Sequence, residues 1–494
     1  MSPSPPPAAA PGAEPPRLRA RQWLAVAAGL VLLGAGPAHE AHAQVQSLQP
    51  SGSPPAVEPL QPPPVSTAVP APAVPPQAAP QAPLSSAAEA VYADARPRLL
   101  QIRTLVQSAG GQATLGSGFL VTETGLALTN YHVVSQYALE PSTYRLEYIA
   151  ADGTRGTLKL HAIDVANDLA VVQLDRAGLP YFRFDTRAVA GDLPKGERLF
   201  AMGNPLDLGF TIVEGTYNGL VDKSYNERIH FSGALNPGMS GGPAVTGAGE
   251  IAGVNVAKQV GGDLVSFLVP ARHAAALLER ARASGPLTAE QARAEIGRQL
   301  TQWQSTLYAA LAERGFRGVT HGPYRAPESA ADWFTCWSST NAGDTPKPRA
   351  LADQTSCSTQ ASVFVAGDLD TGEVNLAHAY LRSVDLNAFQ FATVVSDLYR
   401  NDRFAAARRR RLTPAQCQED FVSAAPDAAH PVLRVVWCAR AYRDFEGLYD
   451  VSVTAVTQDR NREALVSRLF MRGAAYANAQ ALARRFLSGI QLAP

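Results

Sequence analysis

The chain has 494 residues, of which 46% are hydrophobic, and its 43 basic residues balance 43 acidic ones. A chain of this length is expected to form two or three domains. The zero net charge argues against nucleic acid or an anionic membrane surface as the main partner. The sequence therefore predicts a multidomain globular protein whose partner is not a polyanion.

The N-terminal residues 1–43 have the pattern of an export signal. Three arginines precede an apolar run over 23–36, and Ala-His-Ala at 41–43 supplies the small residues of a cleavage site. The run would rise about 21 Å as a helix, which is short of the roughly 30 Å hydrocarbon core of a membrane. We therefore favour a cleaved signal peptide over a retained anchor, and we expect an exported protein, periplasmic or secreted.

Residues 44–84 have the composition of a linker. Thirteen of these 41 residues are proline, and Glu58 carries the one charge in the segment. Such a segment has too few large apolar residues to bury a core. It is therefore expected to be an extended, disordered Pro/Ala-rich linker.

Residues 85–285 consist of short apolar segments separated by glycines, such as Gly-Ser-Gly-Phe-Leu-Val at 116–121. Closely spaced short strands with turn signals are typical of an all-β barrel or sandwich. The segment 269–283 has the pattern of a strand followed by a helix.

Residues 286–494 predict a separate α+β domain. Thr288 and Gln291 form a capping box at the start of a helix, and Gly315 is expected to end it. Alternating strand patterns and two further helical patterns follow. The apolar stripe of the first helix consists of Ile296, Leu300, Trp303, Leu307 and Leu311.

The four cysteines, Cys336, Cys357, Cys417 and Cys438, all lie in this region. An even number of cysteines in an exported chain favours two disulfides. Of the three possible pairings we favour Cys336–Cys357 and Cys417–Cys438, because each pair is separated by 21 positions. A metal site is the alternative, and the lack of a C-x-x-C or H-x-x-x-H spacing disfavours it.

Two further features of this region have structural interpretations. The four arginines at 408–411 are expected on a solvated edge, with an anionic polymer as the alternative partner. Trp333, Trp337 and Trp437 are expected in the core rather than on a ligand platform.

Ser240 lies in an unusual segment, Leu-Asn-Pro-Gly-Met-Ser-Gly-Gly-Pro-Ala-Val at 235–245. A serine hydroxyl is a poor nucleophile unless a base takes its proton, and the base needs a third group to orient it. His132 follows one apolar strand pattern and Asp168 precedes another, with Asp164 as a competing acid. The sequence thus predicts a nucleophile, a base and an acid at the ends of strands.

Gly-Met-Ser-Gly-Gly also matches the G-x-S-x-G nucleophile elbow of α/β-hydrolases. That motif must pass from a strand into a helix and expects its acid and histidine downstream. Gly-Gly-Pro and further strands follow Ser240 instead, and the candidate acid and histidine lie upstream. The elbow interpretation, and with it an esterase on another fold, is therefore disfavoured.

These motifs together resemble the trypsin-like serine endopeptidases, particularly the HtrA-type branch. The resemblance implies two six-stranded β-barrels with the active site in the cleft between them. His132 would be the general base, Asp168 its orienting acid, and Ser240 the nucleophile that forms an acyl-enzyme. The backbone N–H groups of Gly238 and Ser240 would form the oxyanion hole. The matching segments are 116–121, 129–134, 167–174, 202–206, 236–245, 253–257 and 267–271.

Departures from the digestive trypsins bear on specificity. Ala234 stands where trypsin carries the aspartate that selects Lys or Arg, so an uncharged pocket is expected. The resemblance implies that the backbone near Val254 and Asn255 and residues near Phe267 wall this pocket. Because the expected pocket is uncharged, we expect cleavage after small or medium apolar residues.

The resemblance ends near residue 285, and 286–494 lacks the Gly-Leu-Gly-Phe-like loop of a PDZ domain. Oligomeric state and regulation therefore do not carry over from the family. Protein or peptide substrates are expected, without a metal or organic cofactor. Ser117 is expected to serve a turn. A non-catalytic binding or scaffold protein, with its function in the C-terminal region, is the alternative to the protease.

Overall fold

The computed structural model describes residues 86–258, 264–329, 331–359, 361–399, 404, 410–423 and 429–493. The predicted signal peptide at 1–43 and the predicted linker up to residue 84 lie outside these ranges. The described residues belong to one compact unit, Pro80–Pro494. Among them, no helix combines the length and the apolar character that crossing a membrane requires.

The first barrel is closed by six antiparallel strands in the order β1-β2-β3-β6-β5-β4. Leu100, Ile102 and Val172 fill its interior and are at most 1% exposed. Helix α1 precedes the barrel, and α2 connects β3 to β4. The elements are α1 Ser86–Ala95, β1 Leu99–Val106, β2 Gln112–Leu120, β3 Leu126–Thr129, α2 Tyr131–Leu139, β4 Tyr144–Ala150, β5 Arg155–Asp164 and β6 Leu169–Leu174.

The second barrel is closed by six strands in the order β10-β11-β12-β9-β8-β7. Its interior contains Leu199, Phe231 and Leu268. The predicted strand followed by a helix at 269–283 is confirmed as β12 and α4. The elements are α3 Thr186–Ala190, β7 Arg198–Gly203, β8 Thr211–Leu220, β9 Ile229–Phe231, β10 Pro243–Val245, β11 Ile251–Lys258, β12 Ser266–Pro270 and α4 Ala271–Arg282.

A third apolar cluster lies between the two barrels. Phe119 and Leu128 of the first barrel pack there with Phe200 and Val254 of the second, together with Leu277 of α4. Successive side chains of a strand point to opposite faces. Strands such as β3 and β6 therefore bury both faces, one inside the barrel and one against its neighbour, which explains why their sequences are mainly apolar. This packing holds the two barrels edge to edge.

The region after the barrels is built on a seven-stranded sheet in the order β15-β16-β19-β23-β22-β21-β20. It is rich in both helices and strands, as predicted. Its elements are α5 Ala289–Arg314, β13 Phe316–His321, β14 Tyr324–Ser329, β15 Phe334–Thr340, β16 Ala350–Thr359, β17 Val363–Ala366, β18 Leu369–Thr371, β19 Val374–Ser383, α6 Ala388–Tyr399, β20 Gln416–Val422, β21 Leu433–Ala441, β22 Leu448–Thr457, β23 Glu463–Ala475, α7 Tyr476–Ser488 and β24 Gln491–Leu492.

Two disulfides join the cysteines in the favoured pairing, Cys336–Cys357 and Cys417–Cys438. Cys336 and Cys357 are directly opposite in the β15–β16 pair, and Cys417 and Cys438 are opposite in the β20–β21 pair. Because β15 and β20 are the two edge strands of the sheet, each disulfide fixes an edge strand to its inner neighbour.

Helix α5 links this sheet to the first barrel. Its capping box between Thr288 and Gln291 is present, and Gly315 is its C-cap, as predicted. Ile296 and Leu300 belong to the core of the first barrel, whereas Leu307 and Leu311 belong to the core under the sheet. The region after residue 285 thus shares a hydrophobic core with the barrel. The boundary near that residue stays a prediction.

Two expectations about this region are wrong at one residue each. Of the arginines at 408–411, Arg410 is exposed, as expected, and 408 and 409 lie outside the described residues. Arg411 is not solvated: it is 9% exposed and pairs with Glu140, Asp368 and Asp444 at 2.8 to 3.0 Å. Three carboxylates from separate segments compensate the cost of burying its charge. Trp337 is not in the core, since it is 77% exposed on the edge strand β15.

Candidate active site

His132 and Asp168 come from neighbouring strand ends of the first barrel. His132 lies in the first turn of α2, directly after β3, and Asp168 directly precedes β6. Strands β3 and β6 are paired, with Thr129 opposite Ala170. The pairing therefore brings the two side chains, 36 positions apart in sequence, to the same end of the barrel.

Asp168 binds His132 through both carboxylate oxygens. Its Oδ2 lies 2.6 Å from Nδ1 of the imidazole, and its Oδ1 accepts a 2.8 Å hydrogen bond from the backbone N–H of His132. The carbonyl of Asp168 accepts a further hydrogen bond from Nδ2 of Asn130 at 2.7 Å. These contacts hold Asp168 at a φ of 60°, a conformation that non-glycine residues rarely adopt. Such local strain is typical of functional sites.

The charge of Asp168 changes the acidity of His132. Burial alone would disfavour the charged imidazolium, but the nearby carboxylate and its hydrogen bond outweigh burial and raise the pKa of His132 above 6.5. With Nδ1–H directed at Asp168, Nε2 is left as the acceptor that can take a proton. The imidazole is accessible, since 27% of its side-chain surface is exposed.

The segment that carries Ser240 is a tight turn between β9 and β10 of the second barrel. Gly238 has a φ of 95°, and a Cβ there would lie 2.4 Å from the carbonyl oxygen of Asn204. Gly241 has a φ of 84°, and its Cβ would lie 2.3 Å from the carbonyl oxygen of Ser117. Both positions therefore require glycine, because this backbone conformation and this close approach exclude a side chain.

The turn leaves two backbone donors free beside the serine. Within the described residues, neither the N–H of Gly238 nor that of Ser240 donates a hydrogen bond to a protein acceptor. Two free N–H groups in one turn, here two residues apart, can bind the negative oxygen of a tetrahedral intermediate. The arrangement has the donors that an oxyanion hole needs.

Ser117 supports this turn and was misassigned from the sequence. It lies in β2 rather than in a turn, and it is 1% exposed. Its hydroxyl donates to the carbonyl of Gly238 at 2.7 Å and accepts from the N–H of Asn204 at 2.9 Å. A strand of the first barrel thereby fixes the backbone of the serine turn in the second. The glycines on either side of Ser117 are typical of a turn, and they give no signal of the contact between Ser117 and Gly238.

The backbone of Ser240 is joined to the first barrel, but its side chain is not joined to His132. The N–H of Ser117 donates to the carbonyl of Ser240 at 2.8 Å. The hydroxyl of Ser240 donates to the carbonyl of Val256 at 3.3 Å, and no hydrogen bond links it to His132 among the residues described. The structure therefore contains the His132–Asp168 pair and the serine turn with the hydroxyl in an alternative orientation.

The competing acid Asp164 and the histidine His273 have partners other than the His132–Asp168 pair. Asp164 accepts hydrogen bonds from the N–H and Nδ2 of Asn167, at 3.1 and 3.0 Å. His273 pairs with Glu227 at 2.6 Å, and His161 is 8% exposed. Asp168 is therefore the carboxylate that contacts the His132 imidazole.

The predicted pocket residues have different environments. Ala234 is exposed, and Phe267 is half-buried in β12. Val254 and Asn255 are fully buried, and Nδ2 of Asn255 donates to the carbonyls of Met202 and Met239. Their side chains thus belong to the core and to the support of the serine turn. Only their backbone could line the predicted pocket, and the pocket itself stays a prediction.

Comparisons with known proteins find relatives for part of the chain. Residues 116–254 match the family described as trypsin-like peptidase domain. The chain is 30% identical over 184 residues to a protein of Chlamydia muridarum named probable periplasmic serine endoprotease DegP-like, covering 36% of this chain and 35% of that one. It is 32% identical over 180 residues to putative serine protease HhoB of Synechocystis, covering 35% and 41%.

Among solved structures, a serine endoprotease from Yersinia pestis is 25% identical, with a TM-score of 0.35, over 42% of this chain and 70% of that one. The chain spans 35% and 41% of the length of the two relatives above. The residues that match the family, 116–254, lie within the two barrels. The segment of the two barrels is a trypsin-like domain of the HtrA type.

Proposed function

We propose that this chain, whose barrels form a trypsin-like domain of the HtrA type, is an exported serine endopeptidase. Ser240 is the nucleophile, His132 the general base, and Asp168 the residue that orients the base. The single observation that carries the proposal is the two-point contact of Asp168 with His132, which leaves Nε2 of the partly exposed imidazole as the proton acceptor.

The reaction begins when the Ser240 hydroxyl turns from Val256 towards His132. Rotation about a Cα–Cβ bond is a change between staggered rotamers, and catalytic hydrogen bonds are often incomplete before substrate binds. His132 takes the proton as Oγ attacks the scissile carbonyl carbon, and the N–H groups of Gly238 and Ser240 stabilise the oxyanion. His132 then protonates the departing amine, which leaves an acyl-enzyme.

Water completes the cycle. His132, now neutral again, accepts a proton from a water molecule that attacks the acyl carbonyl, and it returns this proton to Oγ of Ser240 as the ester breaks. The products are a carboxylic acid and the free serine. No metal or organic cofactor takes part in these steps.

The substrate proposed is a protein or peptide cut after a small or medium apolar residue. Ala234 offers no charge for a Lys or Arg side chain, and Phe267, which is half-buried, is the aromatic residue of the predicted pocket. The two disulfides are of the kind that persists in an oxidising compartment, which supports an exported and periplasmic location.

The test compares the full chain with its Ser240→Ala variant. Both are exposed to a fluorophosphonate probe, which reacts with activated serines, and to unfolded casein. We expect labelling and cleavage by the wild-type chain, and a loss of turnover on the order of 10⁶ in the variant. Ser284→Ala is a matched control, because its hydroxyl binds the carbonyl of Arg280 at the end of α4. Equal turnover in wild type and Ser240→Ala would contradict the mechanism, and inactivity of both would favour a binding or scaffold protein.

A further inference from the structure

The hairpin β17–β18 of the C-terminal region lies on the helix that carries His132. Val363 and Val365 are at most 2% exposed and belong to the core of the first barrel. The hydroxyl of Tyr131, the residue before His132, donates to the carbonyl of Val365 at 2.9 Å. A segment far outside the trypsin-like domain is therefore built into the edge of the candidate active site.

Phe364 occupies the position between the two buried valines. Because successive strand residues point to opposite faces, its side chain lies on the face opposite to theirs. It is partly buried there and packs against the margin of the same core. Its ring lies 5.9 Å from the His132 imidazole, edge to face at 73°, and 6.3 Å from the ring of Tyr131. Phe364 is half-buried, and 27% of the His132 side-chain surface is still exposed. The ring therefore lies beside the imidazole without covering it.

Arg411 fixes the turn of this hairpin. Its guanidinium binds Asp368, between the two strands, at 2.9 Å, and Glu140, at the C-terminal end of α2, at 3.0 Å. Asp444 accepts a third hydrogen bond from it at 2.8 Å. The guanidinium is buried and the three carboxylates are partly exposed, so Arg411 ties the hairpin turn to the same helix that bears His132.

Trp303 of α5 fixes the other end of the hairpin. Gly372, which follows β18, has a φ of 83°, and a Cβ there would lie 2.2 Å from the indole of Trp303. The indole Nε1 donates to Oδ1 of Asn226, in the β8–β9 connection of the second barrel, at 3.0 Å. The hairpin is therefore held at both ends, and Phe364 has a defined place beside His132.

We propose that Phe364 forms an apolar wall of a substrate subsite and selects an apolar side chain next to the scissile bond. This inference rests on the proposed function. The scissile bond must lie between Oγ of Ser240 and Nε2 of His132, so a flanking side chain passes within reach of a ring 5.9 Å from that imidazole. The subsite is made by the C-terminal region, so the barrels alone lack it.

The experiment profiles cleavage by the full chain and by Phe364→Ala, using peptides randomised on both sides of the cleaved bond. One flanking position is expected to favour apolar residues in the wild type. In Phe364→Ala, kcat/KM for those peptides should fall by about tenfold relative to peptides with small residues there, because part of an apolar contact is lost. Fluorophosphonate labelling, which needs no flanking residue, provides the reference for serine reactivity.

A second substitution at position 364 tests the subsite if the alanine variant does not fold, and a substitution elsewhere serves as the control. Phe364→Lys places a cation at the half-exposed position and should move the preference at the same flanking site towards Asp and Glu. Phe421→Ala removes an aromatic ring that is 60% exposed on the edge strand β20, and its profile should equal that of the wild type.

The outcomes separate the two proposals. A wild-type chain that labels and cleaves, while the Phe364 variants keep its profile, would overturn the subsite and leave the protease intact. A parallel loss of labelling and of all cleavage in both Phe364 variants would assign the ring to support of His132 and would also overturn the subsite. A wild-type chain that neither labels nor cleaves would overturn the proposed function and this inference with it.

Discussion

The two barrels contribute to the candidate active site in different ways. In the first barrel, His132 and Asp168 already make the side-chain and backbone hydrogen bonds that an acid–base pair needs. In the second barrel, the backbone around Ser240 is in place, but the hydroxyl binds the carbonyl of Val256. The difference shows that the backbone of a site can be positioned before its side chain is. Contacts between the barrels position the backbone of Ser240, whereas rotation about its Cα–Cβ bond decides where the hydroxyl points.

The acid–base pair should show the largest effect of a substitution in the first barrel. Asp168→Asn removes the charge that orients His132, and we expect kcat to fall about 10⁴-fold. Asp164→Asn is the matched control, since its partner is Asn167 and not His132. Steady-state kinetics on an apolar peptide checks this. Similar losses in both variants would remove the distinction between the two carboxylates.

A substitution in the serine turn should have the next largest effect on kcat. Gly238→Ala places a Cβ against the carbonyl of Asn204 and strains a positive φ, so the oxyanion donor is displaced. We expect kcat to fall about 10²- to 10³-fold with a smaller change in KM. Gly247→Ala is the control, because a Cβ there meets no atom within 4 Å. Wild-type kcat in Gly238→Ala would show that the turn is not held in this conformation during catalysis.

Ser117 connects the two barrels, and its removal should have a moderate effect on both activity and stability. Ser117→Ala leaves the N–H of Asn204 without its acceptor, and we expect a loss of about 1–3 kcal/mol in the free energy of unfolding. We also expect kcat to fall by roughly tenfold, as the Gly238 carbonyl loses its donor.

The control for Ser117 is another buried serine. Ser467→Ala, in β23, removes a hydroxyl that bonds to Nδ1 of His378 and should cost stability without lowering kcat. Chemical denaturation and kinetics on the same preparations check both quantities. An equal fall of kcat in the two variants would assign the Ser117 effect to stability alone.

The change of kcat/KM with pH should be the smallest of these effects. A general base works when it is neutral, and the pKa of His132 is raised above 6.5 by Asp168. The rate should therefore fall as the pH drops through this raised pKa, with the acidic limb of kcat/KM centred above 6.5. Asp168→Asn should move that limb to lower pH in the remaining activity. A limb that stays in place would mean that Asp168 does not set the pKa of the base.

Local sequence signals predicted much of the fold. The Thr288–Gln291 capping box, the stop at Gly315 and the strand–helix unit at 269–283 depend on short-range hydrogen bonds and apolar periodicity, and all are present. The pairing of the cysteines followed from equal spacing, which antiparallel neighbouring strands realise directly. In each case, the residues that decide the structure are near each other in the sequence.

Contacts between distant segments could not be predicted in the same way. A run of arginines indicates a solvated edge on charge alone, yet Arg411 is buried because Glu140, Asp368 and Asp444 converge on it from separate segments. Ser117 looked like a turn residue because of its glycine neighbours. Its contact with Gly238 spans 121 positions.

The sequence by itself determined the candidate residues, their order and the glycines that the serine turn requires, because these depend on chemistry and local backbone conformation. The tertiary structure alone decided that Asp168 binds His132 at two points, that the Ser240 hydroxyl faces Val256, and that Phe364 stands beside the imidazole. Such features depend on the packing of strands far apart in the chain, and sequence periodicity carries no information about which distant surfaces meet.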